Sequence, residues 1–120
     1  MVDTLITRNT ALITVGKGFS LASDFKTDLI DFKEMNVAFI QAVQTSAPDA
    51  FDGAFVLTVS LLCDPATFVP YPDSNRLLSA GCNGFGWNFC CLPFRYARVC
   101  YTANSVTTGE IDIYARAKRT

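Results

Sequence analysis

Alternation of apolar and polar residues with a period of two runs through most of this chain, and it restricts the fold to β-structure. It is clearest over Glu110–Ala117, where Ile111, Ile113, Ala115 and Ala117 point one way and Glu110, Asp112, Tyr114 and Arg116 the other. That is a strand with one buried and one wet face. Over Arg95–Thr102, Ala97, Val99 and Tyr101 alternate with Tyr96, Arg98, Cys100 and Thr102. The polar stretch 103–109, ending in Gly109, lies between the two and predicts an antiparallel hairpin with a loop of moderate length. Upstream, Ala54–Cys63 puts Phe55, Leu57, Val59, Leu61 and Cys63 on one face after an Asp52-Gly53 turn. Met35–Gln44 reads as a strand with Val37, Phe39 and Val43 on one face. Phe85, Trp87, Phe89 and Cys91 alternate in another, entered flexibly or through a bulge by Gly81, Gly84 and Gly86.

The N-terminal third is less regular. Ala11–Val15 and Lys26–Phe32 read as short strands around Gly16-Lys17-Gly18, although Phe25, Leu29 and Phe32 also fit one or two helical turns. Pro65, Pro70 and Pro72 fall between strands, where a missing N–H costs little. The expectation is an all-β chain, an antiparallel β-sandwich or jelly roll of about seven or eight strands. Its 120 residues make a single domain over 1–120, and residues 1 to about 15, with few core-sized residues in register, fit an extended arm.

Half of the residues are hydrophobic and only 18% are charged, against a usual share of about 25%. That excludes disorder and leaves more apolar surface than a small monomer readily hides. A net charge of −1 gives no basic field for nucleic acid. The longest near-apolar run, 54–63, is about half the length of a membrane span, and the first residues do not read as a signal peptide. Residues 1–60 carry 4 basic and 7 acidic residues, and residues 61–120 carry 6 and 4. The asymmetry fits head-to-tail or side-by-side docking of copies, or docking on an acidic partner.

With no histidine, imidazole-based triads, metal ligands and proton shuttles are excluded. A cysteine nucleophile would need another base. The five cysteines at 63, 82, 90, 91 and 100 are an odd number, at intervals that match no zinc knuckle. They read as free thiols, buried or half-buried, with one of the adjacent Cys90 and Cys91 in the core and the other on the opposite face. Asp24, Asp28, Asp31 and Glu34, with Lys26 and Lys33, read as a solvated charged segment and not a calcium loop. The expectation is therefore no enzyme, no cofactor and no metal.

Two stretches carry a resemblance. Pro48-Asp49-Ala50-Phe51-Asp52-Gly53-Ala54-Phe55-Val56-Leu57 leads into Ser60. Phe94-Arg95-Tyr96-Ala97-Arg98-Val99-Cys100-Tyr101-Thr102 is followed by a segment from Thr108-Gly109 to Lys118-Arg119. Over about the last two-thirds of the chain this resembles small structural proteins of tailed bacteriophages, closest in kind to the capsid decoration (cement) proteins. The long segment Pro65–Cys91 departs from their pattern. The resemblance implies a β-sandwich that sits as a homotrimer on the capsid exterior of the virion and holds major capsid protein subunits together, with no nucleic-acid or membrane partner. A tail, neck or fibre module, host- or carbohydrate-binding, is the alternative. Arg98, Arg116 and Tyr114, on the wet faces of their strands, are the candidate interaction residues, with both arginines expected to face outward.

Overall fold

The structure is a computed structural model that describes residues 10–78 and 84–119, with side chains from Ile13 onward. Two antiparallel sheets face each other. The strands are β1 (Thr10–Ser20), β2 (Phe25–Lys26), β3 (Ile30–Asp31), β4 (Val37–Ser46), β5 (Ala54–Ser60), β6 (Val69–Pro70), β7 (Arg76–Leu77), β8 (Gly84–Phe89), β9 (Tyr96–Thr102) and β10 (Glu110–Lys118). The first sheet has the order β1-β10-β4-β8. The second has β9 and β5 at its centre, with β2 and β3 pairing β9 on one side and β6 and β7 pairing β5 on the other. Six strands are long and four have only two residues, so the expected all-β sandwich is what forms, with its short strands confined to the edges of the second sheet. Among the described residues no helix is long and apolar enough to cross a membrane.

The core is where the alternation places it for β5, β9 and β10: Phe55, Leu57, Ala97, Val99, Ile111 and Ile113 are each fully buried. In β4 the phase is the reverse of the expected one. Ala38, Ile40 and Ala42 are buried, whereas Val37, Phe39 and Val43 face out. Pairing explains it. Ala38, Ile40 and Ala42 stand directly opposite Phe89, Trp87 and Phe85 on β8, and opposite residues share a face. The small side chains of Ala38 and Ala42 leave volume for the rings, which pack on Phe55, and through it on Tyr101, at one end and on Tyr71 and Phe94 at the other.

The hairpin expected between β9 and β10 does not form, because the two strands belong to different sheets. Each buries its own apolar face against the other sheet, and residues 103–109 carry the chain over the end of the sandwich. Asn104 (φ 52°) and Gly109 (φ 115°) supply the left-handed backbone for that crossing, and Val106 is buried beneath it. β5 stops at Ser60, not Cys63. The Ser60 hydroxyl accepts from the Leu62 N–H (2.9 Å) and bonds the Thr67 hydroxyl (2.6 Å), and Asp64 caps the 3-10 turn Pro65–Thr67. These local bonds replace the ladder and leave Leu61, Leu62 and Cys63 exposed.

β1 does not break at Gly16-Lys17-Gly18. It continues to Ser20 through two register irregularities against β10, with Gly18 at φ 70°. Thr10–Val15 therefore belong to the first sheet; the rest of the expected arm, and Gly81 and Cys82, lie outside the described residues. Lys26–Phe32 adopts neither a continuous strand nor a helical turn. Buried Thr27 interrupts it, donating its N–H to the Val99 carbonyl (2.9 Å) and accepting the Val99 N–H on its hydroxyl (3.1 Å). β8 pairs β4 from Gly84 to Phe89 without a bulge, and Pro70 sits in edge strand β6 and not between strands.

β8 ends at Phe89, so Cys90 and Cys91 are both exposed instead of one filling the core. Cys63 is exposed as well, and Cys100 is half-buried, its sulfur 3.6 Å from the Thr58 hydroxyl. The four described cysteines are free. Two outcomes follow. Reductant leaves the thermal midpoint of the folded chain unchanged, where loss of a stabilising bridge would remove about 2–4 kcal/mol. Iodoacetamide labels Cys63, Cys90 and Cys91 well before Cys100, as mass spectrometry of timed samples reads out.

Candidate interaction surface

The outer face of the first sheet is built by β10 and β4. Outward residues alternate along each: Asp112, Tyr114, Arg116 and Lys118 on β10, and Val37, Phe39, Gln41 and Val43 on β4. The register sets Arg116 beside Phe39 and Tyr114 beside Gln41. On edge strand β8 the outward positions opposite β4 are Gly84, Gly86 and Asn88, so this margin carries a single outward side chain. Phe39 uses the space. A Cβ added at Gly86 would fall on its ring tip, so the ring lies down over that glycine and remains 41% exposed. The result is a shallow depression of about 330 Å³ lined by Val37, Phe39, Asn88, Arg116 and Lys118 among others.

Tyr114 is held from below. Its hydroxyl donates to Asp112 (3.3 Å), whose other oxygen accepts the Gly18 N–H at 2.7 Å, and the Lys17 ammonium stands 5.9 Å from its ring centroid. The irregular register of β1 thus places a cation over one candidate residue. Arg116 is exposed and makes no ion pair among the described residues.

The structure brings Tyr114 and Arg116 together but puts Arg98 on the opposite sheet. Arg98 does not stand free in solvent as expected: it is half-buried, its guanidinium 5.6 Å from the Phe68 ring centroid. Its Nε is buried without a hydrogen-bond acceptor among the described residues. The intervening loop 61–68 folds back over β5 and β9, a long-range event with no local signature.

Sequence reasoning missed the exposed apolar residues Leu61 (71%), Leu62 (60%), Val69 (57%) and Leu77 (58%) on the second sheet's margin and the adjoining end. The available signal was Asp64-Pro65 directly downstream, which marks the end of a strand. The expected acidic cluster is dispersed into braces. Asp31 pairs with Arg95 at 3.0 Å, and that guanidinium holds its carboxyl below the usual carboxylate range. Glu34 pairs with Arg119 (3.3 Å), and Asp24 accepts the Ala103 N–H at 2.8 Å.

At the opposite end from Leu61, two further carboxylates tie the crossing loop down. Asp49 accepts the Thr107 hydroxyl and N–H, which lower its pKa, and Asp52 accepts the Ser105 hydroxyl (2.6 Å) and N–H. Among the described residues no group of three or more histidine, cysteine or acidic side chains is arranged to hold a metal.

No family model and no curated protein matches the sequence. The fold has solved counterparts. Over 93% of this chain and 96% of the other, it is similar to the crystal structure of the SPBc2 prophage-derived protein YomS, with a TM-score of 0.57 and 11% identity. Over 97% and 94% it is similar to a chain from Bacillus endospore appendages, a family of disulfide-linked pili, with a TM-score of 0.52 and 11% identity. At that identity the likenesses establish a shared β-sandwich fold.

Proposed function

We propose that this chain is a non-enzymatic virion structural protein, a capsid decoration module that binds the outside of a phage head as a homotrimer and braces contacts between major capsid subunits. The observation that carries the reading is the group of large apolar side chains left exposed at one end of the sandwich, Leu61, Leu62 and Val69, each more than half exposed. Small monomers avoid grouping such residues at a surface unless something covers it. The β9 and β10 sequences, which resemble those of decoration proteins, and a fold shared with a prophage-derived protein support a virion as the setting. Multiple modest contacts per trimer, on several shell subunits at once, would act together through effective concentration.

Particles with and without the protein provide the test. Decorated particles retain DNA to a higher temperature than undecorated ones, and quantitative densitometry finds the protein at a copy number comparable to the shell protein's. Identical release curves at confirmed full occupancy remove the reading. Arg116→Glu lowers occupancy in a salt-sensitive way if the outer face of the first sheet meets the shell. One observation favours a second reading, a tail or fibre module that binds host carbohydrate: the ring of Phe39 laid over Gly86 beside Asn88 and Arg116. A copy number far below the shell protein's, with binding to host glycans lost in Phe39→Ala, selects it.

A further inference from the structure

The two ends of the sandwich are opposite in charge and alike in exposing apolar side chains. The connections at one end are residues 32–36, 61–68 and 90–95, together with Lys118 and Arg119. They carry four basic residues (Lys33, Arg95, Lys118, Arg119) against Glu34, Asp64 and the adjoining Asp31 of β3, with Arg95 paired to Asp31 and Arg119 to Glu34, and they expose Leu61 and Leu62. The described connections at the other end are residues 21–24, 47–53 and 103–109. They carry three acidic residues (Asp24, Asp49, Asp52) and no cation, and β10 begins there with exposed Glu110. Phe51, 48% exposed, and Leu77, 58% exposed on adjoining β7, supply the apolar part.

We propose that these ends are the two halves of a head-to-tail contact between copies of this chain, the basic end of one seated on the acidic end of the next. Opposite charge at the rim with apolar residues at the centre is the arrangement of a specific protein interface. Two acidic ends repel, so a two-fold pairing through that end is disfavoured, whereas unlike ends attract. The area is available. A standard interface takes about 800 Å² from each partner, roughly an eighth of the 6795 Å² that one copy exposes. A head-to-tail contact uses two different surfaces per copy, and it closes into a ring or extends into a chain according to its rotation. It stands independently of the capsid reading. A wild-type mass of three copies fits both, and a longer chain of copies keeps the contact while removing the trimer.

Mixing of half-disabled variants tests it. Leu61→Glu with Leu62→Glu spoils only the basic end, and Phe51→Ser with Leu77→Ser removes only the apolar part of the acidic end. Neither disabled end keeps a net positive charge, so the two do not attract each other. In sedimentation the wild type associates, more weakly as salt rises from about 0.05 to 0.5 M. Each variant alone associates at least about tenfold more weakly, and an equimolar mixture of the two forms a 1:1 dimer that grows no further. A wild type that stays monomeric up to about 1 mM overturns the proposal. So does either variant associating as the wild type does, or a mixture that gives no dimer. Wild-type footprinting decides the matter even if a variant fails to fold. Cys63, Cys90 and Cys91 all lie at the basic end, so their alkylation slows as protein concentration rises, and unchanged rates overturn the contact.

Discussion

Trp87→Ala is expected to unfold most of this sandwich's margin of stability, at a cost of about 3–5 kcal/mol for the missing ring. The side chain is 2% exposed, packed edge-on against Phe85 at a centroid distance of 5.5 Å. Its indole N–H also donates to the Ser74 carbonyl at 2.7 Å. Ser74 is buried, and its hydroxyl accepts the Leu57 N–H (3.1 Å) and donates to the Leu57 carbonyl (3.3 Å). The indole therefore holds the segment that closes the edge of β5, and its loss strands a buried carbonyl, worth a further 1–3 kcal/mol or so. Against a typical total of about 5–15 kcal/mol the variant is barely folded. Urea titration checks this through the midpoint, and Trp87→Phe, which keeps one aromatic ring but not the donor, should recover about half of the loss. A Trp87→Ala variant within about 1 kcal/mol of wild type would contradict the packing described.

The second large effect is expected from the smallest of changes, Gly53→Ala. A Cβ at this position would fall on the Tyr101 hydroxyl and within 2.9 Å of Leu78 Cδ1. Tyr101 is 2% exposed and donates its hydroxyl to the Leu21 carbonyl at 2.8 Å, which joins the loop after β1 to the second sheet. The ring cannot move without giving up that bond, so overpacking of about 1–3 kcal/mol adds to a lost hydrogen bond of about 1 kcal/mol. A double-mutant cycle with Tyr101→Phe isolates the clash: Gly53→Ala costs less when the hydroxyl is absent, and equal costs in the two backgrounds would refute the account. Burial also pushes the Tyr101 pKa up to about 12, so its neutral form is favoured in the folded state. The unfolded chain ionises first, near the usual tyrosine value of about 10, and stability falls as pH climbs from there through the folded value. Tyr101→Phe removes that alkaline loss.

Local pattern was enough to place the inward residues of β5, β9 and β10, because alternation there runs undisturbed and each strand buries one face. It failed on β4, where both faces carry apolar residues. Val37, Phe39 and Val43 are larger than Ala38 and Ala42, yet the inward choice is made by the rings of β8 opposite. It failed again on the partner of each strand, since residue 102 and residue 110 are near neighbours in sequence but sit in different sheets. Of the candidate surface, Tyr114 and Arg116 were legible because an exposed β10 face is a local property. Arg98 was not, since what covers it arrives from thirty residues upstream, at Phe68. The dipole-like separation of charge between the two ends was visible only as a difference between halves of the chain, and the crossing connections convert it into geometry.

The position of β10 governs when this molecule can fold. It lies between β1 and β4, so a strand encoded near the start of the sequence has its sole described pairing with residues 110–118. The first sheet cannot be completed on the ribosome until those residues have emerged, and β1 and one edge of β4 wait unpaired meanwhile. Pairings this distant also make the search slow, because the loop must close before any contact rewards it. Shortening the chain before residue 110 would therefore yield no smaller sandwich, only a half-made one with two open edges and a tendency to aggregate.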